Sequence, residues 1–283
     1  MLFKKDNLER AETMGFTESS MPLLMSHRGG AGIYPENTVY AFEQSVLNYR
    51  ADVVELDIHA AGDGELVVIH DDTVDRTTDG TGRIDRMGID EIRELDAGYR
   101  FTSDGGRSYP YRGKGFRVPT LREVFEAFRS NDAGINIDIK RSSPNIEQKL
   151  YNLITGMGMT KRVLVNSGHP LVMARFRKIN RQGVLTGTGS LQAAAAYALN
   201  VIGLPGLFNT KDYALQVPLI FHGALRVVTP SFAKLCRDKG IKLHVWTINE
   251  VSGMQHLIDM GVDGIITDYP DRLRRLLTVR GRT

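Results

Sequence analysis

A chain of 283 residues with 42% hydrophobic and 24% charged residues has an ordinary globular composition and is long enough for one large α/β domain or two small ones. Its 36 basic and 33 acidic residues leave a net charge of +3, which gives little reason to expect a nucleic-acid partner. The single cysteine, Cys236, excludes a disulfide framework within the chain and a cysteine-based zinc site.

Neither the start of the chain nor its apolar runs predict a membrane segment. Residues 1–16 are polar, favour a short helix and lack the apolar centre of a secretory signal. The longest apolar run, 191–208, is interrupted by Asn200, Gly203 and Pro205, and it falls short of the ~20 apolar residues that span a bilayer. We therefore expect a cytoplasmic protein.

The first predicted strand, 22–26, ends directly on a basic and glycine-rich stretch, His27-Arg28-Gly29-Gly30. Polar residues at the carboxyl end of a buried strand are where α/β barrels place their chemistry. A helix follows, with Asn37 or Thr38 as its predicted N-cap.

The next stretch, Val53–Asp71, predicts a β-hairpin. Apolar and acidic residues alternate as far as His59, 66–70 is a short β-branched run, and Asp63-Gly64 between them favours a two-residue turn. Counting outward from that turn places Asp57 opposite His70, with Glu55 on the same face. A buried pair of carboxylates requires neutralisation, for which a divalent cation is suited. The alternative is a solvated acidic strand face with a core histidine.

Residues 72–117 lose this periodicity and are rich in Asp, Arg, Gly and Thr, apart from a short helical piece near 90–95. Such a long irregular segment predicts an insertion at one rim of the fold, with its charges solvated. Strands and helices alternate again from Pro119 onward.

Setting the second arm of the hairpin aside, eight predicted strands are separated mostly by connections of helix length. This alternation predicts a (β/α)₈ TIM barrel formed by a single domain over 1–283, with a core over about 22–279. A doubly wound open sheet is less favoured, because no Gly-x-Gly-x-x-Gly follows the first strand. The predicted strands are 22–26, 53–58, 135–139, 163–165, 184–186, 225–228, 242–248 and 264–267.

In a barrel the carboxyl ends of the strands share one mouth. Three carboxylates are expected there, from Glu55, Asp57 and Asp138. With waters they form an oxygen-rich site for one divalent cation, Mg²⁺ or Ca²⁺. The seventh strand brings Trp246 and Asn249 to the same mouth.

Basic and titratable side chains are expected beside that cation. Arg28 and Lys140 next to a cation describe a pocket for a phosphate rather than for a neutral ligand. His27 and His70 would then serve as general base and general acid near neutral pH.

As an ordered set, seven motifs from about Leu23 to Leu277 resemble those of the glycerophosphodiester phosphodiesterase family. The motifs are H-R-G-G at 27–30, E-N-T at 36–38, E-L-D at 55–57, V-I-H-D at 68–71, N-I-D-I-K at 136–140, H-V-W-T-I-N at 244–249 and D-G-I-I-T-D-Y-P at 263–270. The resemblance implies a TIM barrel with a small insertion after the H-D motif. It also implies an enzyme that uses a divalent cation to cleave glycerophosphodiesters into glycerol 3-phosphate and an alcohol.

The resemblance also implies roles for particular residues. Many family members have glutamate where this chain has Asp138, which leaves the identity of the cation open. Trp246, within H-V-W-T-I-N, is a candidate substrate contact. By motif match, the remaining functional residues are Glu55, Asp57 and Asp138 for the metal, His27 and His70 for acid–base catalysis, and Arg28 and Lys140 for the phosphate.

The alternatives to this function are a different substrate for the same kind of enzyme and two other classes of protein. The N-I-D-I-K variant resembles relatives that act as a lysophospholipase D and release lysophosphatidic acid. The apolar segment 191–221 would then lie over the mouth and contact an acyl chain or, transiently, a membrane surface. A sugar-phosphate lyase or isomerase, or a non-catalytic barrel that binds phospholipid, would keep the phosphate pocket without needing two histidines. The sequence does not predict an oligomeric state.

Overall fold

The computed structural model describes residues 15–16, 19–221 and 223–281. The helix expected over 1–16 therefore lies almost entirely outside the described residues. Among them are eight parallel strands: β1 (Leu23–Ser26), β2 (Val53–Ala60), β4 (Gly134–Ile139), β5 (Val163–Asn166), β6 (Leu185–Thr186), β7 (Ala214–Pro218), β10 (Lys242–Trp246) and β11 (Gly264–Thr267). They lie side by side in the order β6-β5-β4-β2-β1-β11-β10-β7, which confirms the TIM barrel.

The helices lie between the strands along the chain and pack around the outside of the barrel. Apolar side chains from both layers are buried between them, in two large clusters. The helices of the described residues are α1 (Val39–Tyr49), α2 (Ile89–Arg93), α3 (Leu121–Ala127), α4 (Ile146–Gly156), α5 (Pro170–Ile179), α6 (Ser190–Val201), α7 (Pro230–Lys239), α8 (Val251–Met260) and α9 (Pro270–Val279). None of them is long and apolar enough to cross a membrane.

The two ends of the sheet, β6 and β7, meet through a few backbone contacts that nearly close the barrel. The Tyr213 N–H donates to the Thr186 carbonyl at 2.8 Å, and the Thr188 N–H donates to the Ala214 carbonyl at 2.9 Å. Phe16 covers the amino-terminal end of the barrel, where its ring meets Tyr213 edge to face with 5.9 Å between centroids. Gly134 is required beneath it, because a Cβ there would lie 2.7 Å from the Phe16 ring.

A layer of polar side chains crosses the middle of the barrel interior. The Gln216 side chain accepts hydrogen bonds from Asn136 at 3.3 Å and from Asn166 at 3.1 Å. It also donates to Asn136 at 3.1 Å and lies 3.2 Å from Nδ1 of His244. Burial lowers the pKa of His244 to about 4, so this imidazole is neutral at pH 7. The network forms the floor beneath the polar mouth.

The sixth barrel strand is β7, so its prediction at 225–228 was wrong. Leu225–Arg226 (β9) instead pairs antiparallel with Ile220–Phe221 (β8) in a small separate ribbon. The apolar periodicity of β7 was obscured because Gln216 points into the polar interior layer and Pro218 ends the strand. A run that is rich in β-branched residues does not by itself determine which segment enters the barrel.

The hairpin exists, but its register differs by one residue from the prediction. Ile58 pairs with Val68, and the second arm, β3 (Leu66–Val68), follows a turn of three residues rather than two. Asp57 therefore faces Ile69, whose N–H donates to the Asp57 carbonyl at 3.0 Å. Gly64 adopts φ +87° at the last turn position, where a left-handed conformation favours glycine.

The segment 72–117 forms a compact layer on one side of the mouth. It contains α2 and packs on the hairpin through its own apolar cluster, which includes Ile69, Val74, Ile84 and Ile92. Phe116 and Tyr111 stack against Tyr40 of α1, with ring centroids 4.7 and 5.7 Å apart. These contacts hold the segment against both the hairpin and α1.

Candidate active site

His27 begins a 3₁₀ turn directly after β1 and faces the mouth of the barrel. Its Nδ1 lies 2.6 Å from Oδ1 of Asp268, and Asn249 donates to the other oxygen of Asp268 at 2.7 Å. Its Nε2 lies 3.9 Å from Oε2 of Glu55. Burial alone would lower the pKa of His27, but Glu55 and Asp268 raise it above the ordinary value. Asp268 thus fixes the ring so that Nε2 points toward the carboxylates.

Arg28 contacts three carboxylates through its backbone and its side chain. Its N–H donates to Glu55 at 3.0 Å, its Nη1 donates to Glu36 at 3.0 Å, and its Nε lies 3.1 Å from Asp57. The residue adopts a left-handed backbone with φ 50° and ψ 29°. A non-glycine residue held in this conformation is strained, and such strain is typical of functional sites.

Glu55 and Asp57 lie on the same inward face of β2, and both are buried, with 6% and 1% of their surfaces exposed. Burial, reinforced by the nearby Asp57, raises the pKa of Glu55 to about 7. Burial would also raise the pKa of Asp57, but Lys140 and Arg28 hold it below the ordinary value. Asn37 stabilises Asp57 further by donating to its Oδ2 at 2.9 Å. Two neighbouring carboxylates thus differ in their affinity for a proton.

Asp138 and Lys140 reach the mouth from β4 and the residue that follows it. Asp138 lies beside Asp57 in the strand register, so their side chains share one face. The Lys140 ammonium donates to Asp138 at 3.0 Å and lies 3.4 Å from Asp57. Burial would lower the pKa of Lys140, but Asp138 and Asp57 raise it, so the ammonium group keeps its positive charge at the mouth.

His70 also lies at the mouth, although the register by which it was predicted there was wrong. The chain turns after β3, and the charge of His70 contributes to lowering the pKa of Asp57. Nδ1 of His70 lies 2.6 Å from Oδ1 of Asp71. Its carbonyl lies 3.0 Å from Nε2 of His59, which must carry the proton because a carbonyl only accepts. His59 therefore anchors the backbone of His70 to β2.

Several residues of the mouth were missed by the sequence reasoning. Asp268 follows the last strand, so the same rule about strand ends would have found it. Asp71 and Glu36 were visible only inside longer motifs, and their contacts with His70 and Arg28 depend on loop conformation. Arg76 carried no signal at all, because it lies in the segment interpreted as solvated.

The prediction that 191–221 lies over the mouth was wrong for most of the segment. Helix α6 packs on the outside of the barrel, and the turn at Pro205–Leu207 lies at the amino-terminal end, where Lys239 of α7 donates to Gly206 at 2.7 Å. The first turn of α6, which follows the carboxyl end of β6, and the end of the segment, at β8, lie at the rim that carries the site. There Ile220 and Phe221 are 44% and 50% exposed.

Trp246 also lies at this rim, at the carboxyl end of β10 and beside Pro218 of β7. Its side chain is 42% exposed, and Leu225 of β9 is 45% exposed. The β8–β9 ribbon and Trp246 therefore give one side of the mouth an apolar edge, across the barrel from the charged side chains of β2 and β4.

The donor set at the mouth suits a hard divalent cation. No group of three or more His, Cys, Asp or Glu side chains among the described residues lies in a metal-binding arrangement. However, Oδ1 of Asp138 is buried without a hydrogen-bond partner, and the Glu55 carboxyl has a raised pKa because its burial is poorly compensated. Carboxylate oxygens in this condition are the ligands that Mg²⁺ and Ca²⁺ prefer.

Comparison with known proteins gives consistent matches. Residues 27–272 match the model of the glycerophosphoryl diester phosphodiesterase family. A glycerophosphodiester phosphodiesterase of Caldanaerobacter subterraneus is 34% identical over 92% of this chain and 99% of its own length. A human lysophospholipase D is 28% identical over 89% of this chain and 85% of its own.

A solved structure shares the fold. An Oleispira antarctica phosphodiesterase, in complex with the product sn-glycerol-3-phosphate, superposes with a TM-score of 0.70 at 22% identity. The superposition covers 91% of this chain and 97% of the other.

Proposed function

Because the chain belongs to the glycerophosphoryl diester phosphodiesterase family, it is a phosphoric diester hydrolase of glycerophosphodiesters, and we propose that its barrel mouth performs this reaction with the residues described above. The products are glycerol 3-phosphate and an alcohol. The observation that carries the assignment is the presence of two imidazoles in one mouth, each with Nδ1 2.6 Å from a carboxylate, beside the positively charged side chains of Arg28 and Lys140.

Two histidines match the proton balance of the reaction. As water adds to phosphorus, one imidazole accepts a proton from it. As the bond from phosphorus to the alcohol oxygen breaks, the other imidazole donates a proton to that oxygen. Asp268 and Asp71 each accept from Nδ1, which leaves the Nε2 atoms of His27 and His70 for these transfers.

Arg28 and Lys140 supply the positive charge for the phosphate. Arg28 is held at one edge by Glu36 and faces Asp57 with its Nε, and Lys140 lies between Asp57 and Asp138. A guanidinium after β1 and an ammonium after β4, on either side of β2, are suited to phosphoryl oxygens.

Glu55, Asp57 and Asp138 would hold one divalent cation, Mg²⁺ or Ca²⁺. When bound, the cation polarises a phosphoryl oxygen as a Lewis acid. The buried Asp138 oxygen without a hydrogen-bond partner and the raised pKa of Glu55 support this assignment.

The test measures choline and glycerol 3-phosphate released from glycerophosphocholine, with Mg²⁺, Ca²⁺ or excess chelator. We expect equal amounts of both products with at least one of the two cations. Turnover should be lost in Asp57→Ala and in excess chelator, while circular dichroism shows that the fold is retained. Full activity of Asp57→Ala or of the chelated enzyme would overturn the metal assignment.

A lysophospholipase D activity is a second candidate, favoured by the apolar edge that Ile220, Phe221, Leu225 and Trp246 form at the rim. Burial of an acyl chain there would contribute ~0.8 kcal/mol per CH₂. Phe221→Ser should then reduce kcat/KM for lysophosphatidylcholine and spare glycerophosphocholine. Leu207→Ser is the matched control, because Leu207 is 70% exposed at the opposite end of the barrel. If Phe221→Ser changes kcat/KM equally for both substrates, the lysophospholipase D activity is rejected and only the glycerophosphodiesterase activity stands.

A further inference from the structure

Arg76, in the segment that follows the hairpin, lies between two carboxylates that each hold a residue of the mouth. Its Nε and Nη2 donate to Asp71 at 2.6 and 3.3 Å. Its Nη1 and Nη2 donate to Glu36 at 2.7 and 2.8 Å. Asp71 in turn contacts Nδ1 of His70, and Glu36 accepts from Arg28.

We propose that Arg76 is a positioning residue, which sets His70 through Asp71 and Arg28 through Glu36 at the same time. The proposal rests on the proposed function of the mouth. It also gives the segment 72–117 a part in the reaction, because this segment supplies the guanidinium that joins the two catalytic elements.

The geometry suits arginine and no other side chain. A planar guanidinium presents its donors in a fixed fork, so that one edge can hold each carboxylate in a defined orientation. Lysine could neutralise the same two carboxylates, but its ammonium cannot hold both in bidentate fashion. Lysine therefore tests whether orientation or charge is required.

The charges around Arg76 agree with this role. Burial would raise the pKa of both Asp71 and Glu36, but Arg76, with His70 beside Asp71 and Arg28 beside Glu36, holds the pKa of Asp71 at about 2 and that of Glu36 below its ordinary value. Without Arg76, Asp71 would keep only its contact with His70, and Glu36, only 15% exposed, only its contact with Arg28. Each would then be free to rotate away from the position that the mouth requires.

An ordinary surface ion pair is the competing explanation, since the Arg76 side chain is 46% exposed and such pairs contribute about 0–1 kcal/mol to stability. The chain offers a matched control in Arg93, which lies in the same segment, is 42% exposed and pairs with Glu123 at 2.6 Å. Arg93 has no contact with the mouth in the described structure.

The experiment compares Arg76→Ala, Arg76→Lys and Arg93→Ala in glycerophosphocholine hydrolysis by the metal-loaded enzyme. Displacement of His70 should lower kcat on the order of 10²-fold in Arg76→Ala, and displacement of Arg28 should raise KM. Arg76→Lys should show nearly the same lowered kcat and raised KM as Arg76→Ala. Added guanidinium ion should partly restore kcat in Arg76→Ala and in neither of the other variants. Arg93→Ala should match the wild type.

A proton NMR signal of the His70–Asp71 hydrogen bond provides a readout besides activity. The downfield imidazole resonance that disappears in Asp71→Asn is assigned to His70, and it should also broaden or disappear in Arg76→Ala. If Arg76→Ala keeps this signal and wild-type kcat and KM, the proposal is wrong. It is also wrong if Arg76→Lys has the full kcat and KM of the wild type. Failure of the wild type itself to hydrolyse the substrate would overturn the proposed function instead.

Discussion

At the scale of single residues, the mouth is built from pairs in which one group orients another. Each candidate acid–base histidine has a carboxylate at Nδ1, and each candidate phosphate-binding cation has carboxylates that restrict its movement. A charged side chain held in this way loses little conformational freedom when a substrate binds, so its interaction energy is available to the transition state.

Asp268→Asn tests the orientation of His27. The amide can no longer accept the Nδ1 proton as an ionised carboxylate does, so the imidazole loses its fixed tautomer. We expect kcat for glycerophosphocholine to fall on the order of 10²- to 10⁴-fold, with a smaller change in KM. Asp259→Asn removes an exposed carboxylate paired with Arg280 and serves as the control. A kcat within threefold of wild type would show that Asp268 does not orient the histidine.

His244 should make the stability of the protein depend on pH. Its folded pKa of about 4 lies below the ordinary 6.5, so the unfolded chain binds this proton more readily. The contribution of neutral His244 to the free energy of unfolding is complete above pH 6.5 and is lost as the pH falls toward 4. The total loss is about 3 kcal/mol, at ~1.4 kcal/mol per pKa unit. Urea unfolding at pH 7 and pH 4.5 should show a smaller acid loss in His244→Gln than in the wild type. Identical losses would contradict a neutral buried imidazole.

At the scale of elements, the sequence predicted what depends on local pattern and missed what depends on closure of the barrel. The short helix near 90–95 was correct, and of the two N-caps expected, Asn37 and Thr38, the structure has Thr38, because capping and apolar spacing act locally. The hairpin register was wrong because the turn contains Gly62 as well as Asp63 and Gly64. The Asp63 carboxylate accepts from the N–H groups of Glu65 and Ile89, which ties this longer turn to the following segment.

The position of β7 was also beyond local pattern. Its Gln216 is polar because it faces Asn136 and Asn166 across the barrel, and no local rule distinguishes such a residue from one in a loop. His70, in contrast, was placed at the mouth correctly through an incorrect register. The chain turns after β3, and in that turn the His70 carbonyl lies 3.0 Å from Nε2 of His59.

Replacing His59 tests this turn as an element. His59→Leu removes the hydrogen bond to the His70 carbonyl and should lower stability by about 1 kcal/mol. Because His70 would be held less firmly, kcat should fall about tenfold, which corresponds to ~1.4 kcal/mol in the barrier. His59→Gln keeps a donor and should recover most of the loss in both thermal unfolding and turnover. A His59→Leu enzyme with unchanged kcat would show that the strand alone positions His70.

At the scale of the whole molecule, the barrel explains why residues so distant in the sequence form one site. His27 and Asp268 are separated by 241 positions, yet β1 and β11 are neighbours in the sheet and end at the same rim. The alternation of strands and helices was therefore sufficient to predict that these carboxyl ends meet, although it misplaced the sixth strand. It was not sufficient to predict the loops that follow them, where Arg76 and the β8–β9 ribbon lie. The assignment of residues 1–283 to a single domain, with its core at about 22–279, stays a prediction.

The central claim is that this mouth hydrolyses a phosphodiester at phosphorus with two histidines. It is tested most directly by turnover of glycerophosphocholine in ¹⁸O-labelled water, in the presence of Mg²⁺ or Ca²⁺, followed by mass spectrometry of both products. We expect the label in the phosphate of glycerol 3-phosphate, none in choline, and no labelled product from His70→Ala. Label in choline, or unchanged labelling by His70→Ala, would contradict the claim.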